Sequence, residues 1–245
     1  PATRNTISKH IHGIMDSPIM MALSAARGNK TPIVFVPSMH QDLFDDPVTT
    51  ELLDQIILEG NYYFVDREKE GRRKQPSPVV IVSKLSNLVN SFLDNRKKVA
   101  ITLGATRAPI DSVRAIQNAS SGKTGWAIAE HLFLMGHEVY CIAGKTSSNP
   151  SIELPNIIRA GSPEEMLLRS ISLAKMDDKP EVWIHSAAVL DYSMVPEKGK
   201  KPSGQDKWEI ELRPTLKHIS ELSDSVGDCI RIGFKLETSV SEEVL

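Results

Sequence analysis

The sequence predicts an α/β protein whose C-terminal part is a Rossmann-like, mostly parallel sheet with helices on both faces, preceded by a partial flavodoxin-like α/β segment. Three observations carry this. From residue 97 onward, short β-branched runs alternate with helix-length apolar runs, the pattern of a parallel sheet covered on both sides. A junction of about twenty residues, Gly104 to Gly125, separates the first of these strands from its helix, where two to six residues are usual. A charged stretch, Arg67 to Lys74, with Pro76 and Pro78 behind it, divides two regions that each have apolar runs of their own.

With 245 residues, 40% of them hydrophobic and 24% charged, the chain is long enough for two modest cores. A formal net charge of -2 offers no basic field to a nucleic-acid duplex, so no nucleic-acid partner is expected and any anion site must be local. Cys141 and Cys229 lie far apart in or beside apolar runs, outside any C-x-x-C pair or His cluster, and read as reduced core residues of a cytoplasmic protein, without a metal site. His10 and His12, two apart on a helix, face different ways and make a poor metal pair. No apolar stretch approaches the roughly 20 residues of a membrane span, and no membrane partner is expected.

Taken in order, residues 1 to 27 are compatible with two helices divided at Pro18, with Ile7, Ile11, Ile14 and Met15 as the apolar spacing of the first. Ile33 to Val36 is a short strand running into the mixed loop Pro37 to Phe44. Pro47 to Leu58 is a helix with Leu52, Leu53, Ile56 and Ile57 inward, ended by Gly60 before a strand at Tyr62 to Val65. Arg67 to Lys74 reads as a solvated linker, and Val79 to Leu93 as a connecting helix. Then follow strand 99–103, helix 125–135, strand 138–143, a short strand near 156–160, helix 163–175 and strand 181–187. After a polar loop, Trp208, Ile210 and Leu212 alternate like a half-exposed strand; a helix around 216–222 and a strand at 229–234 complete the series.

The long junction carries the chemistry. A helix starting behind Ser120-Ser121-Gly122-Lys123 at a strand's carboxyl end turns free N–H groups and a positive dipole end towards an anion. A P-loop would need glycine where Gln117 stands, and a dinucleotide fingerprint would need glycine at Thr106, so both motifs fail. This failure also weighs against the rival reading, a nicotinamide-dependent reductase; a non-catalytic regulatory homologue is the other alternative.

Gly104 to Gly125 is nearly letter for letter G-x-T-R-x-x-I-D-x-V-R-x-I-x-N-x-S-S-G-K-x-G, and it resembles the signature of the phosphopantothenate–cysteine ligases of coenzyme A biosynthesis. Three later segments agree in order: Ala187-Ala-Val-Leu-Asp-Tyr192 with A-A-V-A-D-Y, Pro196 to Lys201 with a mobile K-x-K-K loop, and Ile232 to Thr238 with G-F-x-x-E-T. The resemblance implies ligation of L-cysteine to 4'-phosphopantothenate through an acyl nucleotide, with CTP (or ATP) as co-substrate and Mg2+ beside it. Residue by residue, it makes Lys198 the lysine of nucleotidyl activation and Asn118 the amide that handles the intermediate. Ser120, Ser121, Gly122, Lys123, Ala187, Ala188, Asp191, Lys200, Lys201, Phe234, Lys235, Leu236 and Glu237 fall at nucleotide or substrate. It also implies a homodimer or larger homo-oligomer and a ligase domain, 97–245, that is C-terminally incomplete, behind a linker and connecting helix at 73–96.

Residues 1–72 carry a second resemblance, to the flavin-dependent phosphopantothenoylcysteine decarboxylases. Pro1 to Thr6 resembles P-A-S-A-N-T, and Pro37 to Phe44 resembles P-x-M-N-x-x-M-W. It implies FMN for this segment, Asn5 at the substrate carboxylate, and Pro37 and Met39 in the substrate pocket. His40 stands for the motif's asparagine, Leu43-Phe44 for its Met-Trp, no cysteine lies between 45 and 97, and the family's catalytic histidine would precede Pro1.

Overall fold

The computed structural model describes residues 1–236 apart from positions 67, 70 and 205. It divides into two compact units, Pro1–Lys84 and Leu85–Leu245.

In the first unit, α1 (Arg4–Ile11) starts on Thr3, whose hydroxyl accepts from the Thr6 N–H, and α2 (Pro18–Gly28) starts on Ser17 with proline at its first position, where the missing N–H costs nothing. Ile7 is buried, whereas Ile14 and Met15 lie beyond the end of α1 and are exposed, so the apolar spacing overran the helix. β1 (Val34–Phe35) is followed by β2 (Met39–His40), the single turn α3 (Gln41–Phe44), α4 (Pro47–Leu58) and β3 (Tyr62–Tyr63), which pairs in parallel with β1. Leu52, Leu53 and Ile56 of α4 join Ile7 and Phe35 in one core, while Ile57 faces outward, 51% exposed.

The charged stretch is more than a linker. β4 (Glu68–Lys69) and β5 (Arg72–Arg73) form a hairpin that adds antiparallel to β2. Arg73 donates to Gln41 at 3.0 Å and lies over the Phe44 ring at 4.8 Å. The division between the units falls later, within α5 (Pro78–Ser91).

The second unit is built on five parallel strands. β6 (Lys98–Leu103) leads through a hairpin, β7 (Arg107–Pro109) and β8 (Ala115–Gln117), to α6 (Lys123–Leu134). β9 (Glu138–Ala143), β10 (Asn156–Arg159), α7 (Pro163–Ala174) and β11 (Val182–His185) follow. β12 (Tyr192–Ser193) and β13 (Arg213–Pro214) pair antiparallel; α8 (His218–Glu221), α9 (Ser223–Val226) and β14 (Ile230–Gly233) complete the described chain. The sheet order is β10-β9-β6-β11-β14, every pairing parallel.

Alternation along the strands explains why both faces are covered. Val99, Ile101 and Leu103 point with Val139, Cys141 and Ala143 towards Trp126, Ala129 and Phe133 of α6. Ala100, Ile142 and Trp183 point the other way, onto Met166 and Leu173 of α7 and Val226 of α9. Two sequence expectations differ. Trp208, Ile210 and Leu212 form no strand, since pairing begins only at Arg213. The junction before α6 is not an open loop, since half of it folds back as the β7–β8 hairpin.

Candidate functional site

From β6 the chain builds outward to β9 and β10, then returns to the other side of β6 as β11. The β6–β11 seam is therefore the point where strand order reverses, and open α/β sheets leave a crevice there at the carboxyl ends of their strands. A cleft of about 400 Å³ occupies that position, lined by Ser120 to Gly125, by Ser186, Ala187 and Ala188 after β11, and by Phe234, Lys235 and Leu236 after β14. Nine residues singled out in the sequence thus converge from three separate segments.

Backbone geometry suits this wall to an anion. Gly122 precedes α6 at φ +78°, a left-handed conformation, and a Cβ there would meet Thr146 Cγ2 at 2.5 Å. Gly122, the N-cap of α6, has no side chain to cap it; the Lys123 N–H donates to the Ser121 hydroxyl at 3.3 Å, and the rest of the first turn faces the cleft. Ser121 is held from behind, its carbonyl accepting from the Ser148 N–H at 3.2 Å and hydroxyl at 2.7 Å.

Asn118 is fixed at the rim, where its Nδ2 donates to the Ala188 carbonyl at 3.2 Å. The Thr106 N–H donates to the same oxygen at 3.1 Å, and the Thr106 hydroxyl accepts from the Leu190 N–H at 2.8 Å. Ala188 in turn donates to the Gly104 carbonyl at 2.8 Å. The two alanines are small because backbone passes backbone here. Thr106, buried and joining both segments, is the threonine of the G-x-T-R signature, to which the sequence assigned no role.

The lysine segment is not part of this wall. Lys198, Lys200 and Lys201 lie instead at the tip of the β7–β8 hairpin: the Glu197 N–H donates to Ile110 at 2.8 Å, and Ser112 donates to Gly199 at 3.1 Å. Lys198 and Lys200 are exposed, and neither is paired among the described residues. Lys201 is engaged elsewhere, its ammonium 3.2 Å from Glu197 and 5.3 Å from the centre of the Trp208 ring. Asp191 is exposed outside the cleft, with its carbonyl accepting from Thr215, and Glu237 lies outside the described residues.

Behind the lysine segment sits the carboxylate of Asp111, which the I-D-x-V-R signature includes but to which the sequence assigned no role. The Asp111 side chain is wholly buried; Oδ1 accepts from the N–H groups of Val113 (2.8 Å) and Arg114 (2.7 Å), and Oδ2 from the Arg114 guanidinium (3.0 and 2.5 Å) and the Lys201 N–H (3.1 Å). Burial alone would raise its pKa, but the backbone donors of Arg114 and Val113, then the guanidinium and Lys201, hold it far below the usual carboxylate range. Its available signal was the Asp followed by N–H groups two and three residues on, an Asx turn.

In the first unit a separate cavity of about 580 Å³ is lined by Thr3, Arg4, Asn5, Ser8, Ser38, Met39, His40 and Leu43. Asn5 and Met39 are brought together here. Pro37 is buried behind them, in a backbone bridge with Ala2.

Among the described residues no three His, Cys, Asp or Glu side chains converge as metal ligands, and no helix is long and apolar enough to cross a membrane. Fold and cleft define the class: a doubly wound α/β domain with a crevice at its switch point, joined to a second α/β unit. Residues 95–244 match the family model of the DNA/pantothenate metabolism flavoprotein C-terminal domain, and residues 1–90 match the flavoprotein model. The chain belongs to the DNA/pantothenate metabolism flavoprotein family.

Among its relatives, the coenzyme A biosynthesis bifunctional protein CoaBC of Thermococcus kodakarensis is 36% identical over 245 residues, which is all of this chain and 60% of that protein. A cysteine/cysteine sulfinic acid decarboxylase from an unknown prokaryotic organism is 32% identical over 97% of this chain and 68% of its own length. The crystal structure of the DNA/pantothenate metabolism flavoprotein from Streptococcus pneumoniae superposes with a TM-score of 0.50 at 30% identity, covering 61% of this chain and 73% of that one.

Proposed function

We propose that the second unit ligates L-cysteine to 4'-phosphopantothenate in coenzyme A biosynthesis, using a nucleoside triphosphate, with CTP favoured over ATP. The observation that carries the reading is the convergence of Ser120 to Lys123, Ala187, Ala188 and Phe234 on one crevice with Asn118 at its rim. A carboxylate oxygen of phosphopantothenate attacks the α-phosphorus; the new P–O bond forms as the bond to pyrophosphate breaks, and pyrophosphate leaves. The cysteine amine nitrogen then attacks the acyl carbon; a C–N bond forms, the nucleoside monophosphate leaves with the C–O electron pair, and the amine's proton goes to solvent.

Each residue group answers one electrostatic demand. The first step brings a carboxylate to a polyanion, and the ammonium groups of Lys198 and Lys200, exposed and unpaired among the described residues, are the charges to offset that repulsion. The first turn of α6, which begins behind Gly122 at the cleft, and Ser120–Ser121 hold phosphate oxygens. Phe234, 56% exposed on the opposite wall, offers a face to the base. Asn118, a neutral donor, holds the acyl phosphate without adding charge. Magnesium carried on the nucleotide's own phosphates needs few protein ligands, and among the described residues no three His, Cys, Asp or Glu side chains group together. When bound, the ion supplies further charge neutralisation there.

The first unit is proposed to be part of a flavin-dependent decarboxylase. Asn5, at the start of α1, would take the substrate carboxylate, with Met39 and Leu43 on the apolar wall; the hydroxyls of Thr3, Ser8 and Ser38 and the Arg4 guanidinium suit the polar groups of FMN. The protein is expected to work as a homodimer or larger homo-oligomer.

The test is pyrophosphate release from the full chain given phosphopantothenate, cysteine and either CTP or ATP. Lys198→Ala should lower acyl-nucleotide formation by about a hundredfold or more, while Asn118→Asp should slow its consumption and let it accumulate. Release of no pyrophosphate with either nucleotide, or full turnover by both variants, would overturn the reading.

A further inference from the structure

We propose that Asp111 is a positioning residue that sets the lysine segment for nucleotidyl activation, with Lys201 as its anchor rather than a phosphate ligand. This rests on the reading above that Lys198 acts in the first step. The buried Asp111 carboxylate joins two pieces of chain ninety residues apart, because Oδ2 accepts both from the Arg114 guanidinium and from the Lys201 N–H. Arg114 closes the loop by donating to the Lys201 carbonyl at 2.8 Å. Two backbone bonds, Glu197 to Ile110 and Ser112 to Gly199, fasten the residues on either side of Lys198 to the same hairpin.

Trp208 completes the arrangement. The Arg114 guanidinium lies 4.4 Å from its ring centre and the Lys201 ammonium 5.3 Å, so one indole receives the cation of each joined piece. Residues 197, 199 and 201 are thus held while Lys198 and Lys200, between them, remain unpaired among the described residues. The same hairpin continues through β8 into Asn118. A single buried carboxylate therefore fixes the register between the segment that would activate the nucleotide and the segment that would handle the intermediate. Loss of such orientation lowers the rate of the step it serves without removing any group that touches substrate.

The experiment compares wild type with Asp111→Asn and Trp208→Leu in the full chain. Exchange of labelled pyrophosphate into the nucleotide, with phosphopantothenate present and cysteine absent, reports the first step; single-turnover consumption of the formed intermediate after adding cysteine reports the second. Asp111→Asn keeps the shape but offers one acceptor where two are used. It should slow exchange by about thirtyfold or more, leave the nucleotide KM within about threefold, and leave intermediate consumption within about threefold. Trp208 fluorescence should become more accessible to iodide in Asp111→Asn, since Trp126 and Trp183 are buried.

Trp208→Leu, which touches no backbone bond of the segment, should slow the same step by about threefold to tenfold. It keeps the proposal testable if Asp111→Asn fails to fold. Exchange within threefold of wild type in a folded Asp111→Asn, or equal loss in both steps, would overturn this proposal and leave the ligase reading standing. If wild type itself shows no exchange and no pyrophosphate release, the ligase reading falls and the proposal with it.

Discussion

Gly125→Ala is the sharpest perturbation of the crevice, because the direction of its effect opposes the ordinary one. In an unhindered helix position, alanine for glycine stabilises by about 0.5–1 kcal/mol. Gly125 lies in the first turn of α6 directly on β6, and a Cβ there would stand 2.3 Å from the Cβ of Leu103. Rotation about the leucine side chain cannot relieve that contact, since Leu103 Cβ is carried by the strand. Reaching a normal carbon–carbon separation requires the start of α6 to move by about 1.3 Å. Such overpacking costs about 1–3 kcal/mol, so the net change is a loss of stability. On the proposed reading, the same shift would take Ser121 and Gly122 out of hydrogen-bonding range of a phosphate bound at the start of α6. Losing one charge-assisted bond should raise the Kd for the nucleoside triphosphate by about tenfold to a hundredfold. Urea unfolding and titration calorimetry measure the two effects. A variant at least as stable as wild type, with an unchanged Kd, would refute the argument that this close approach shapes the anion site.

Two further outcomes follow from burial. His10, His137, His185 and His218 all have pKa values lowered, first by desolvation; Arg27 adds to this at His10, Arg96 at His137, and His218 and Arg231 at His185, whereas Glu59 opposes it at His10, and the Pro163 carbonyl and Glu164 oppose it at His218. Below the ordinary value of 6.5 the unfolded chain therefore binds protons that the folded chain does not, so their contribution to stability is complete above about pH 6.5 and is lost as pH falls. Urea midpoints measured from pH 8 to 5 should decrease on the acid side, and a flat profile would contradict this. Cys141 is buried, its thiol pushed up to about 12 by desolvation, while Cys229 is partly exposed. Alkylation of the native protein at pH 8 should label Cys229 at least about tenfold faster, read by peptide mass spectrometry; equal rates would contradict the packing of β9.

The core of the second unit was legible because its signal is local: each parallel strand is a short apolar run, and Ser162 and Pro163 announce α7. The crevice was legible for a different reason. Its residues stand at the carboxyl ends of β6, β11 and β14, and their adjacency follows from strand order once the strands are known. What sequence could not convey was pairing set by tertiary contact. The Arg67 to Lys74 stretch has the composition of a linker, yet Arg73 finds Gln41 and Phe44 and a hairpin forms around it. Trp208, Ile210 and Leu212 have strand alternation but no neighbouring strand to bond. Lys201 looked like its neighbours in a basic loop, and only the fold shows it held by Asp111, Glu197 and Trp208.

The central claim is attack on the α-phosphorus, and the acyl nucleotide it creates is the species to look for. The full Asn118→Asp chain, incubated with phosphopantothenate and CTP or ATP without cysteine and quenched in acid, should yield by mass spectrometry an adduct of phosphopantothenate and the nucleoside monophosphate, less one water, with one pyrophosphate formed for each. Orthophosphate and nucleoside diphosphate instead, or no adduct with either nucleotide, would contradict the account.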